Sequence, residues 1–87
     1  MKHAGPDALN RLTLILAALR ALPEIYEKRP GVFYRRSKAF LHFHDDLTGL
    51  YADVRAVDGA DFDRFKVDEA GQDGDFVALV AARLNPL

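Results

Sequence analysis

The sequence predicts an α+β fold, a two-layer sandwich in which a four-stranded antiparallel meander carries an N-terminal and a C-terminal helix on one face. Apolar residues recur with helical spacing near both ends of the chain, and between them the spacing changes to the alternation typical of strands. The links are short, which favours antiparallel neighbours. The 87 residues are too few for two cores, so we expect one domain over 1–87 in the order α-β-β-β-β-α.

The N-terminal helix is predicted over Asp7 to Leu22, with Pro6 at its start and Pro23 discouraging its continuation. Its apolar positions form one broad stripe: Leu9, Leu12, Ile15, Leu16, Leu19 and Leu22. The segment from Leu22 to Pro30 fits either a short extended piece or a last helical turn.

Strand-like runs follow Gly31. Four segments are rich in β-branched and aromatic residues or alternate between apolar and polar: Val32 to Arg36, Lys38 to His44, Leu50 to Val57 and Phe62 to Val67. Arg36-Ser37 is the first turn, and Asp58-Gly59 favours a type I′ turn. The charges of the last run place it at a sheet edge.

A polar loop over Asp68 to Gly74 leads to the final helix, which Asp73 or Asp75 can cap. The apolar residues of this helix again show helical spacing: Phe76, Val77, Leu79, Val80 and Leu84. Arg83 lies near its negative end.

Strand alternation divides the central side chains between two faces. The face covered by the helices is predicted to hold Ala39, Leu41, Phe43, Leu50, Ala52 and Val54. The open face is predicted to hold Phe40, His42, His44, Tyr51, Asp53 and Arg55. We therefore look for a function on the open face.

Composition excludes several classes of site. The chain has no Cys, so disulfides, thiolate zinc sites, iron–sulfur clusters and cysteine nucleophiles are excluded. The longest apolar stretch, Leu14 to Leu19, is far shorter than the roughly 18 residues of a membrane span. The first six residues lack a signal-peptide core, so a cytoplasmic location with no membrane contact is expected.

Charge is distributed unevenly along the chain. Residues 1–44 carry a net +5 from eight basic and three acidic residues, and residues 45–87 carry −6 from four and ten. A basic cluster from Lys28 to Lys38 is compatible with phosphate or nucleic acid. Because the acidic half can neutralise it, nucleic acid is not the expected partner.

His42 and His44 form the most informative local pattern. Residues two apart on a strand point to the same side, so both imidazoles can reach one ion. Asp53 on the adjacent strand, or Asp45 and Asp46 in the turn, can supply a carboxylate. The same groups suit acid–base chemistry, which keeps a metal- or ligand-dependent enzyme centred on His42, His44 and Asp53 as an alternative. The cofactor is not identified by the sequence.

Aromatic and arginine side chains give the favoured interpretation, a binding or protein-interaction module that uses the open face of the sheet. Phe33, Phe40 and Tyr51 with Arg35 and Arg55 suit stacking of a small molecule or contact with a protein, although cross-strand pairing explains them as well. A small domain also gains by hiding apolar surface, so a homodimer is expected.

The stretch from Gly31 to Asp45 joins an aromatic strand, a short basic turn and a second apolar strand, and it resembles the hairpin signature of small uncharacterised bacterial α+β families. Leu41 to Asp45, followed by Ala52 to Val54, is most similar to the uncharacterised "luciferase domain" family. The general layout resembles the YdhG-like and MmcQ/YjbR-like domains, but the chain lacks the extra C-terminal elements of the latter. The resemblance implies the fold and supplies no catalytic residue.

Overall fold

The structure is a computed structural model, and it describes residues 2–68 and 73–85. Within these residues the predicted α+β class is confirmed, with an antiparallel sheet and three helices. The elements run in the order β1 (Lys2–His3), α1 (Pro6–Asn10), α2 (Thr13–Arg20), β2 (Tyr26–Arg29), β3 (Val32–Arg35), β4 (Lys38–Asp46), β5 (Gly49–Arg55), β6 (Phe62–Lys66) and α3 (Asp73–Leu84).

The sheet is a meander with one added strand. Its order is β2-β3-β4-β5-β6, every pairing is antiparallel, and β1 pairs with β4. Since β5 pairs with β4 from Leu41 to Asp46, and β3 pairs with it from Lys38 to His42, β1 takes the free length of β4 beside β3. The long strand β4 is therefore central to the sheet.

The N-terminal helix differs from the prediction, because the single helix expected over Asp7 to Leu22 is divided into α1 and α2. Leu12 has φ −110° and ψ 23°, outside the helical range. The Thr13 hydroxyl donates to the Asn10 carbonyl at 2.7 Å, which competes with the helical ladder. Leu12 remains 3% exposed, so the break still delivers its side chain to the core.

Several boundaries also differ. The ambiguous segment before Pro30 contains the strand β2, and β1 was not predicted at all. The expected type I′ turn at Asp58-Gly59 is wrong, because Gly59 has a positive φ while Asp58 does not. Instead the Asp58 side chain accepts a hydrogen bond from the Ala60 amide at 3.0 Å, within a longer link. Of the predicted loop over 68–74, residues 69–72 lie outside the described residues.

The two faces of the sheet follow the predicted alternation from Leu41 onward. The side chains beneath the helices are almost fully enclosed: Leu41, Phe43, Leu50, Ala52 and Val54 are each 0–1% exposed. They share one core with residues from α2 and α3, which contact each other above the sheet. Burial of this apolar surface is the main favourable contribution to folding.

Phe40 was predicted on the open face, and that placement is wrong. Phe33 pairs with Leu41 and Tyr34 pairs with Ala39, so Phe40 is the additional residue of a β-bulge. The bulge turns two successive side chains inward, and Phe40 is 4% exposed within the core. Ala39, expected under the helices, is only half-buried. Alternation is regular only beyond the bulge.

We predict that Gly49→Ala destabilises the protein by about 2–4 kcal/mol, against about 1 kcal/mol for Gly59→Ala. Gly49 has φ +140°, and an added Cβ would lie 2.7 Å from the Asp68 carboxylate that accepts a hydrogen bond from the Leu50 amide. Gly59 has φ +77° with open space around it. Urea unfolding of both variants measures the difference, and equal losses would show that this contact carries no strain.

Candidate metal centre

Three imidazoles meet on the open face of the sheet. His42 and His44 alternate with the buried Leu41 and Phe43 on β4, so their rings point away from the helices. His3 on β1 lies opposite His44. The ring centroids are 4.7 Å apart for His42 and His44, 5.6 Å for His3 and His42, and 5.2 Å for His3 and His44. These are all the histidines of the chain.

Asp53 brings a carboxylate to the same place. It pairs directly with His42 across β4 and β5. Its side chain is 11% exposed, and its Oδ2 lies 3.0 Å from Nε2 of His44, which is 13% exposed. His42, His44 and Asp53 therefore form a group whose ligand atoms all lie within 4.8 Å of one another.

Three of the four imidazole nitrogens of His42 and His44 lack a hydrogen-bond partner within the described residues. Nδ1 of His42 and both nitrogens of His44 are buried without a partner. Nε2 of His44 is close enough to Asp53 for an ion pair, but the ring is not aligned for a hydrogen bond. A buried polar atom left unpaired costs about 1–3 kcal/mol. The cluster thus presents several electron-pair donors that the described residues leave unused.

Arg64 on β6 holds the carboxylate in place. Its Nε donates to Oδ1 of Asp53 at 2.8 Å and its terminal nitrogen donates to Oδ2 at 2.9 Å, a two-point contact. The hydrogen bonds from Arg64 lower the pKa of Asp53, although burial opposes them. Asp53 is consequently ionised at neutral pH and keeps lone pairs for a cation.

His42 is held in its neutral form. Burial lowers its pKa below the ordinary value, and the nearby His44, His3 and Arg64 lower it further, while Asp53 raises it. Neutral imidazole is the form that binds metals. Because the folded pKa is lowered, His42 binds a proton more readily in the unfolded chain than in the folded, metal-free protein. The stability contribution of His42 is therefore lost as the pH falls from about 6.5 toward its folded pKa.

The ligand atoms of His42, His44 and Asp53 lie near one another, but they are farther apart than the ligands of a bound metal ion. Ligands about 2.0–2.1 Å from a tetrahedral ion lie about 3.3 Å from one another, so the widest separation of 4.8 Å must contract by side-chain rotation. The positive charge of Arg64 repels an incoming cation, but the Arg64 side chain is 50% exposed, so solvent and salt screen that charge. Two imidazoles and one carboxylate suit zinc, nickel, cobalt or ferrous iron.

An aromatic and a cationic side chain form one wall beside the cluster. The Phe62 ring lies 5.2 Å from that of His42, and Phe62 is 36% exposed. The Arg55 guanidinium lies over the Phe62 ring, 4.6 Å from the ring centroid.

The other predicted site residues are distributed around the sheet. Tyr51 pairs with His44, and its hydroxyl lies 2.6 Å from that of Thr48. Arg55 donates to the Ala39 carbonyl, which ties it to β4. Arg35 donates to the Leu84 carbonyl at 2.9 Å and so turns toward α3, away from the histidines.

Two alternatives from the sequence do not join the group. Asp45 pairs with Leu50, and Asp46 accepts hydrogen bonds from Thr48, so both carboxylates stay at the β4–β5 turn. Asp53 is the carboxylate that the structure brings to the histidines. Phe33 and Phe40, both in the core, do not line this face, contrary to the prediction.

Three residues of this site are not predicted from the sequence: His3, Phe62 and Arg64. A strand as short as β1 has no periodicity to detect. Phe62 and Arg64 were interpreted only as parts of an edge strand, although alternation places them on one face. Their cross-strand partners are Arg55 and Asp53. These partners can be identified only when the register between β5 and β6 is known.

No family model matches this sequence, and neither the curated proteins nor the solved structures contain a match. The resemblance to the "luciferase domain", YdhG-like and MmcQ/YjbR-like families stays a prediction. Within the described residues, no helix is long and apolar enough to cross a membrane.

We predict that the His42 ring titrates below about 6.5 in the metal-free protein, and that two substitutions move its pKa in opposite directions. Asp53→Asn lowers it further because a stabilising negative charge is lost, whereas Arg64→Gln raises it because a repelling positive charge is lost. Ring proton NMR over a pH series measures both changes. Shifts of the same sign in both variants would contradict this electrostatic account.

Proposed function

We propose that this protein is a binding module whose open sheet face takes a divalent transition metal through His42, His44 and Asp53. The observation that supports it is the set of buried, unpartnered imidazole nitrogens beside an ionised carboxylate. Buried polar atoms are normally satisfied, and a metal ion satisfies several at once.

The donor set favours borderline metals over the hard cations. Calcium and magnesium prefer six or more oxygen ligands, and here two of the three donors are nitrogen. Zinc binds both imidazole and carboxylate, commonly with four ligands. Lowered pKa values of His42 and Asp53 keep those two groups deprotonated, so protons compete weakly for them.

Three protein ligands leave one position of a tetrahedral ion for another donor. His3 is the nearest candidate, since its ring stacks on His42 at 5.6 Å. With His3 bound, the ion would have the closed shell typical of structural sites. With that position open to water, the shell would resemble those of catalytic sites. Such an open shell would favour the alternative, a metal-dependent enzyme.

We predict saturable zinc binding to the protein, with an affinity that falls at least about tenfold in His44→Gln and in Asp53→Asn. Asp61→Asn is the matched control, because it removes the same charge from the exposed link before β6. Isothermal titration with zinc chloride measures each affinity. Equal affinity for the Asp53 and Asp61 variants would contradict the assigned site.

His3→Gln distinguishes the two forms of this proposal in the same titration. A fall in zinc affinity similar to that of His44→Gln would identify His3 as the fourth ligand. Unchanged affinity would leave the position open and favour the enzyme. Either result requires that the wild-type protein binds zinc.

Self-association is a second candidate, and the sheet edges support it. Strands β2 and β6 are the outer members of the sheet order, and Tyr26 and Phe62 on them are 48% and 36% exposed. Unpaired strand edges are ready-made sites for pairing with another chain.

We predict that light scattering at two concentrations shows a mass that rises toward twice the 9.7 kDa of the chain. Association of two copies depends on concentration, so the more concentrated sample contains more dimer. A constant mass of one chain at both concentrations would reject the homodimer.

A further inference from the structure

A second site lies at one end of the sheet, in a cavity of about 270 Å³. Its walls come from the β3–β4 turn, the link after β5 and the end of α3. We propose that this cavity binds a small phosphorylated molecule. The proposal does not depend on the metal ligands His42, His44 and Asp53, because none of them lines the cavity; only Arg55, from the wall beside them, is shared.

The charge of the cavity wall is the first argument. Five cationic side chains line it, and no acidic residue of the described chain does: Arg35, Arg36, Lys38, Arg55 and Arg83. One carboxylate reaches this set from outside, because Asp63 lies 2.9 Å from Arg83. A concave surface with one sign of charge concentrates ions of the opposite sign.

Three of the guanidinium groups are fixed by main-chain carbonyls. Arg35 donates to Leu84 at 2.9 Å, Arg55 donates to Ala39 at 2.7 Å and to Gly59 at 2.9 Å, and Arg83 donates to the carbonyl of Val54 at 3.4 Å. A carbonyl accepts a hydrogen bond but does not neutralise the charge. Each guanidinium has five N–H donors, so further donors remain for an anion.

Arg36 and Lys38 have no described function in the fold. Within residues 2–68 and 73–85, neither side chain has a carboxylate partner or a hydrogen bond. Arg36 also has φ +58°, a conformation that glycine or asparagine adopts more easily. The turn thus holds two uncompensated charges beside the cavity at some conformational cost.

The helix dipole explains only part of this cluster. Arg35 and Arg83 lie at the C-terminal end of α3, where positive charge is favourable. Arg55 lies over the Phe62 ring and is hydrogen-bonded to main-chain carbonyls. The charges of Arg36 and Lys38 are therefore the two that an anionic ligand would compensate.

The size and lining of the cavity indicate the class of ligand. Pockets for drug-sized ligands begin at about 300 Å³, so this one fits a molecule with a few carbon atoms. Guanidinium groups recognise phosphate oxygens through paired hydrogen bonds, and a phosphate ester carries up to two negative charges. Ala39, Ala56 and Val57 provide apolar surface for the carbon part.

Inorganic pyrophosphate is the test probe, with the metal-free protein kept in chelator at about 50 mM salt so that screening is modest. Backbone amide NMR is expected to show saturable shifts at residues 35–40 and 55–59. The double variant Arg36→Gln, Lys38→Gln is expected to weaken binding at least about tenfold. Because chelator removes divalent ions, failure of the zinc site leaves this result unaffected.

The control is the double variant Lys28→Gln, Arg29→Gln, which removes the same two charges from the exposed strand β2. It is expected to change pyrophosphate affinity less than about twofold. Equal weakening by both double variants would show unspecific attraction and overturn the proposal. A wild-type protein without saturable shifts would overturn it as well.

Discussion

The alternation of side chains along β4 is the constraint on which the site depends. Leu41 and Phe43 are held beneath the helices at 0% and 1% exposure, and this forces His42 and His44 to the opposite face. A slip of one residue would bury two imidazoles and expose two large apolar side chains, at a cost of several kcal/mol. The core therefore fixes the position of the histidines, although none of them belongs to it.

Charged residues on the neighbouring strands then influence the protonation of His42 and Asp53. Arg64 keeps Asp53 ionised through two hydrogen bonds, while burial and positive neighbours keep His42 neutral. Arg64 would thus have opposing effects on a cation at this place, because it orients the carboxylate and would repel the ion. Binding would depend on the remaining electron-pair donors, which are the unpartnered nitrogens of His42 and His44.

The sequence predicts the fold class from hydrophobic periodicity, the edge position of β6 from its charged residues, and Asp53 as one of three possible carboxylates beside His42 and His44. It fails at Phe40, where a bulge reverses the alternation, and at Leu12, where a hydroxyl competes with the helix. His3 and Arg64 join the site only through strand pairing. The basic cavity likewise unites residues far apart in the chain, Arg36 and Arg83 among them, so periodicity does not reveal it.

X-ray absorption of the zinc-loaded protein reports which atoms surround the ion and so shows whether His42 and His44 bind it together. We expect a shell with at least two imidazole nitrogens at about 2.0–2.1 Å, one carboxylate oxygen, and scattering from the outer atoms of the rings. An oxygen-only shell, or a shell with a single imidazole, would contradict the assignment of His42 and His44 to one ion.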